Sequence, residues 1–171
     1  MTDHDLTRTL AHDVDRAFPR FVEATQDQLY GGLRMLVGHE AEDLAQETYL
    51  RAYRALQKYP PGRIRQLQLR PWLWTIALNA THNSRRTDAR RPLVLIDRLP
   101  EVVSRQPEPV DEALVAAMQA LPRAQGTAVV LHHVLGYSYA EIAEIVERPE
   151  GTVRSDASRG LATLRKKGWE A

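Results

Sequence analysis

Seven arginines stand between residues 61 and 92: Arg63, Arg65, Arg70, Arg85, Arg86, Arg90 and Arg91. They face a single acid, Asp88. A guanidinium stays charged at neutral pH and offers five N–H donors in a planar fork, so its chemistry is anion binding. A second basic block closes the chain, with Arg154, Arg159, Arg165, Lys166 and Lys167 against Asp156 and Glu170. The segments before and between the blocks are acidic, so the net charge of +1 conceals a strong segregation. Either block alone also suits an ordinary solvated helix face. Two of them suggest two contacts with a polyanion, and nucleic acid is the expected one.

Other chemistries find little support. There is no cysteine, which excludes disulfides and thiolate metal sites. His132 and His133 are adjacent, and on a helix they point about 100° apart, too divergent to chelate one ion easily. With His39 and His82 they make no H-E-x-x-H pattern, so neither a metal nor another cofactor is expected. Glu42/Asp43 and Glu141/Glu144 form no acid–base pair beside a nucleophile, so no catalytic residue is assigned. The start, MTDHDLTRTLAHDVDRAF, lacks the basic-then-apolar order of a signal peptide. No window approaches the roughly 20 apolar residues of a membrane-spanning helix. A cytoplasmic protein without membrane insertion is expected.

The elements that would carry the basic blocks read as helices, giving an all-α fold of two small domains. From about 42 to 59 the chain places Ala45, Tyr49, Ala52, Tyr53 and Leu56 on one stripe. Pro60-Pro61-Gly62 ends that helix. After a loop, Pro71 sits where a first helical residue would, and the next helix turns Leu73, Ile76, Ala77 and Ala80 to a core. From about 87 to 109, Pro92, Pro100, Pro107 and Pro109 interrupt every run, which reads as a linker, although Val94-Leu95-Ile96 can pack. The expected division is a domain over 1–88, a linker over 89–109 and a second domain over 110–171. In the second domain VDEALVAAMQAL is one helix. Leu121-Pro122 opens another, which runs to a stop at Gly136 and tolerates Gly126 at a cost of roughly 1 kcal/mol.

The strongest local signal is a helix-turn-helix. Ser138 and Glu141 form an S-x-x-E capping box. Tyr139, Ile142, Ala143 and Val146 line one face, and Glu147 to Gly151 makes the turn. A second helix then directs Val153, Ala157, Leu161 and Leu164 inward and offers Arg154, Ser155, Ser158, Arg159 and Lys166 outward. Such a helix suits the major groove, where its first polar residues reach base edges and phosphates. A plain helical hairpin in a bundle core is the simpler alternative.

At these residues the chain resembles a family. ALPRAQGTAVVLHHVLGYSYAEIAEIVERPEGTVRSDASRGLATLRK resembles the C-terminal promoter-binding domain of extracytoplasmic-function sigma factors. AEDLAQETYLRAYRAL is similar to the N-terminal helix by which that family grips the polymerase clamp. PWLWTIALNATHNSRR is similar to its segment that recognises and melts the −10 element. The resemblance covers most of the chain and implies roles. Asp43, Leu44, Gln46, Glu47, Leu50 and Arg51 would dock on the β′ clamp of RNA polymerase core, with the β flap as a further contact. Arg63, Arg65, Trp72, Trp74, Asn79, Asn83, Arg85 and Arg86 would bind −10 DNA. Tryptophan on an apolar helix is more often core, so at least one of the two is expected there instead. Thr152, Arg154, Ser155, Ser158, Arg159, Arg165 and Lys166 would bind −35 DNA. An anti-sigma factor is a further implied partner.

The pattern breaks after G-T-V-R-S. The family usually has a basic and then a larger apolar residue there, and this chain has Asp156 and Ala157. Asp156 would repel phosphate, accept from cytosine N4, or pair with Arg159 or Arg154. Asn83 stands where aspartate is common, and His132-His133 replace larger residues. Two other functions suit part of the sequence: a sigma-like decoy that sequesters an anti-sigma factor, and a stand-alone helix-turn-helix regulator.

Overall fold

The computed structural model describes residues 2–86 and 109–169. Every regular element among them is helical, as the periodicity requires. The helices are α1 (Asp3–His12), α2 (Val14–Val37), α3 (Ala41–Lys58), α4 (Pro61–Arg65), α5 (Leu69–Arg86), α6 (Glu112–Gln119), α7 (Arg123–Val129), α8 (Tyr139–Val146) and α9 (Glu150–Lys166). Residues 87–108, with Arg90, Arg91, Val94-Leu95-Ile96 and most of the expected linker, lie outside the described residues. The backbone forms two compact units. The first takes residues 2–27 and 44–86, the second Gln28–Asp43 and 109–169.

In the first unit, α1 opens with a capping box: Thr2 Oγ1 accepts from the Asp5 N–H, and the Asp5 carboxylate accepts from the Thr2 N–H. The apolar stripe of α3 meets α2 in an edge-to-face aromatic cluster. Phe18 lies 5.0 Å from Tyr53 and 5.7 Å from Phe21, and Tyr49 contacts both phenylalanines. The buried Tyr49 hydroxyl pairs with Thr25 at 2.8 Å, and burial pushes its ionisation up. Tyr53 donates to Asp15. On α5, Leu73, Ala77 and Ala80 are buried as expected, and Ile76 is half-buried. This helix begins two residues before Pro71. Proline is tolerated there because first-turn N–H groups have no intrahelical partner. Arg70 donates to Asp3 and to the Ala24 carbonyl, so one charge of the first basic block braces the fold.

In the second unit, Asp111 caps α6, and α7 runs into a π-helical turn over Val130–Val134 before Gly136 at φ +77°. Ala117, Met118, Leu121, Val129, Val130 and Leu164 form its core, with Met35 and Leu36 of α2 packed against them. That packing is why Gln28–Asp43 falls in this unit rather than in the expected 1–88 division. Helix α9 crosses α7 at Gly160. A Cβ there would stand 2.8 Å from Val129 Cγ2 and 3.2 Å from the Gln125 carbonyl oxygen. Only glycine permits so close an approach.

Candidate nucleic-acid and protein interfaces

The helix-turn-helix forms at α8 and α9. Ser138 and Glu141 make the expected capping box, at 3.1 and 2.8 Å. Ile142 and Ile145 are buried under α8, and Val153, Ala157 and Leu164 under α9. The turn is shorter than expected. Pro149 presets the backbone and α9 begins at Glu150, which draws Gly151 into the helix. Glu147 closes α8 in the left-handed region at φ 52°.

On α9, Arg154, Ser155, Ser158 and Arg159 are all exposed, as are Arg165 and Lys166, and Thr152 is half-buried. The arginines are held from behind. Arg154 donates to Glu150 at 2.9 Å and lies 4.6 Å over the Tyr139 ring. The Tyr139 ring also stacks on His132, whose Nδ1 lies 2.7 Å from the Tyr137 carbonyl oxygen. The ring stack and the contact with the Tyr137 carbonyl explain His132 as a packing residue. His133 is exposed, and partial desolvation, His132 and Arg165 hold its pKa below the usual histidine range.

Asp156 does not face outward. It is 5% exposed, and its two carboxylate oxygens accept from Arg148 at 2.7 Å and Arg159 at 3.0 Å. Of the alternatives open in the sequence, pairing with Arg159 is the one found, and Arg154 is engaged elsewhere. Arg148, a residue of the turn, is a partner that spacing on α9 alone does not suggest.

The first unit carries a second exposed surface. Trp72, Asn79 and Asn83 recur on one face of α5. Trp72 is half-buried and both asparagines are exposed. The Tyr59 ring lies 6.2 Å from Trp72, and the Arg63 guanidinium sits 3.7 Å above Tyr59 on its own account. Tyr59 escaped the sequence reading, although an aromatic next to Pro60-Pro61 and an arginine-rich loop was a usable signal. Arg65 is exposed. Arg85 and Arg86 continue α5, and their side chains lie outside the described residues. Trp74 is 2% exposed and belongs to the core, which corrects its expected place on DNA. It lies two residues from Trp72, about 200° around the helix, so the pair cannot share a face.

On α3, Asp43 and Gln46 are exposed, Leu50 is half-buried, and Arg51 donates to Glu47 at 2.7 Å. Leu44 is 1% exposed, so it supports this stripe from within instead of lying on it. The stripe mixes carboxylate, amide, guanidinium and apolar groups, which suits a protein partner better than a polyanion.

Two sigma-70 models match the sequence, region 2 over residues 21–91 and region 4 over residues 111–164. The ECF RNA polymerase sigma factor SigW of Bacillus subtilis is 30% identical over 173 residues, covering 88% of each chain. The chain belongs to the ECF sigma factors of the sigma-70 family. SigE of Mycolicibacterium smegmatis is 34% identical over 87% of this chain, which spans only 60% of that relative's length. The sigma-E factor of Haemophilus influenzae is 28% identical over 98% of this chain and 95% of its own. The fold is that of CnrH in its complex with the cytosolic domain of CnrY, with a TM-score of 0.70 and 23% identity over 96% of this chain and 95% of that one. RpoE of Bartonella quintana, solved with the anti-sigma factor NepR, gives 0.66 at 22% identity over 87% and 94%. As a sigma factor the chain is a promoter-recognition subunit of RNA polymerase. No described helix is long and apolar enough to cross a membrane.

Proposed function

We propose that the sigma factor divides promoter recognition between a region 2 domain over 1–88 and a region 4 domain over 110–171, joined by a linker over 89–109. Asp43, Gln46, Glu47, Leu50 and Arg51 dock on the β′ clamp, and the region 4 domain contacts the β flap. Arg63, Arg65, Asn79, Asn83, Arg85 and Arg86 hold the −10 element, while Trp72 and Tyr59 offer ring faces to unpaired bases. Thr152, Arg154, Ser155, Ser158 and Arg159 read the −35 element in the major groove, with Arg165 and Lys166 on phosphate. The mechanism is binding energy without catalysis, exerted in the cytoplasm where polymerase works. An anti-sigma factor is a further partner, by analogy with the complex of the Bartonella quintana protein.

The observation that carries this reading is the outer face of α9. Its arginines and serines are exposed, and Asp156, the acid that departs from the family pattern, is turned inward. An outward acid on α9 would repel phosphate and favour a decoy that does not use DNA; Asp156, buried and paired, does not do so. Transcription by purified polymerase core on fragmented genomic DNA, with and without the protein, is the test. New start sites and a stable complex with core are expected. Finding neither new start sites nor a stable complex with core would overturn the reading, and failure to direct transcription by core is what a decoy would show. Polymerase-independent binding to a symmetric site would make it a stand-alone regulator.

A further inference from the structure

Every residue assigned above to DNA is proposed to touch the groove or the phosphates directly. Asp156 is not among them, yet it is bonded to one that is. Its side chain is 7% exposed, while its partners Arg148 and Arg159 are 42% and 64% exposed. One carboxylate oxygen reaches Arg148 in the turn between α8 and α9, and the other reaches Arg159 one helical turn along α9. A buried carboxylate requires compensating charge, and here both oxygens receive it.

We propose that Asp156 is a positioning residue for −35 recognition, orienting the Arg159 guanidinium from behind and tying α9 to the preceding turn. A free arginine has many rotamers, and ordering it on DNA costs conformational entropy. A guanidinium with one N–H already committed to a fixed carboxylate has lost much of that freedom before DNA arrives. Four of its five donors remain for a base edge or phosphate. The Arg148 arm holds the carboxylate itself in register, because Arg148 also donates its backbone N–H to the Ala143 carbonyl of α8 at 3.1 Å. The acid therefore favours selectivity over raw attraction. It partly neutralises Arg159, which weakens binding to any duplex, while fixing the geometry that one sequence requires.

The proposal rests on the reading of Arg159 as a −35 contact. The test uses full-length protein as holoenzyme, on a promoter fragment it transcribes and on the same fragment with a scrambled −35 element. The ratio of the two affinities is measured for wild type, Asp156→Asn, Arg159→Ala and the double variant. Asp156→Asn is expected to lower the ratio about tenfold, with a change of less than about twofold once Arg159 is absent. An equal loss in both backgrounds would make Asp156 merely structural and overturn the proposal, as would an unchanged ratio in Asp156→Asn. If Arg159→Ala leaves the ratio unchanged, the −35 reading of Arg159 fails first and the proposal falls with it. Should Asp156→Asn not fold, Asp156→Glu keeps the charge, displaces the carboxylate by one methylene and reads the same coupling.

Discussion

Arg154 is the residue whose contacts can be weighed against those it would make on DNA. Its ion pair with Glu150 is exposed and spaced i,i+4, a class worth about 0.3–0.5 kcal/mol. Its place over Tyr139 adds about 0.5–1 kcal/mol at an exposed site. A bidentate contact with guanine is worth about 1–3 kcal/mol in discrimination, so such a contact would outcompete Glu150. The Tyr139 ring can stay behind the guanidinium in both states, itself backed by His132 at 3.9 Å. Arg154→Ala should therefore reduce −35-dependent promoter affinity about tenfold or more. Tyr139→Leu, which keeps an apolar contact and removes the π face, should cost about fivefold or less. Competition binding with holoenzyme measures both. A Tyr139→Leu loss as large as that of Arg154→Ala would mean that the ring does more than support the arginine.

Among the elements, α9 depends most on one small residue. At Gly160 a methyl group would meet Val129, a stiff β-branched side chain, and the Gln125 carbonyl oxygen, which is backbone. Overpacking of this kind costs about 1–3 kcal/mol, against roughly 1 kcal/mol gained in helix propensity. Gly151 lies on the same helix with nothing within 4 Å of an added Cβ and no positive φ. Gly160→Ala should therefore lower the melting temperature, by several degrees per kcal/mol lost, whereas Gly151→Ala should raise it or leave it unchanged. Thermal unfolding by circular dichroism decides, and a higher melting temperature in Gly160→Ala would refute the close approach. The contrast also shows what the sequence made legible. Caps and stops such as Ser138–Glu141 and Pro60-Pro61 act within a few residues, so the chain displays them openly. The apolar stripes of α3, α5 and α9 were likewise visible as periodicity. The difference between Gly151 and Gly160, the burial of Trp74 and Leu44, and the Arg148 partner of Asp156 depend on side chains brought together by tertiary packing. Tyr59 is an intermediate case: its place beside Pro60-Pro61 and Arg63 is local and legible, but its pairing with Trp72 arises only from tertiary packing.

For the whole molecule, the segregation of charge beneath a net +1 matches the two kinds of binding proposed for it. The α3 stripe carries the Glu47–Arg51 pair among amide and apolar groups, and it shares no residue with the basic face of α9. Changes in one should leave the affinity of the other intact, because sites without shared partners contribute additively. Arg154→Ala with Arg159→Ala should thus leave the affinity for polymerase core within about twofold. Promoters should be lost in proportion to their reliance on the −35 element, and each arginine removed should flatten the salt dependence of DNA binding by roughly one unit of log–log slope. Glu47→Lys should do the reverse, reducing core affinity and lowering transcription from every promoter by the same factor, with the slope for DNA unchanged. Genome-wide start-site mapping at several protein concentrations distinguishes the outcomes. Raised concentration restores the full promoter set to a core-docking variant by mass action, but it cannot restore the order of preference to a variant that has lost its reading arginines. Loss of core affinity in the Arg154/Arg159 variant would break the assignment of the two surfaces to different partners.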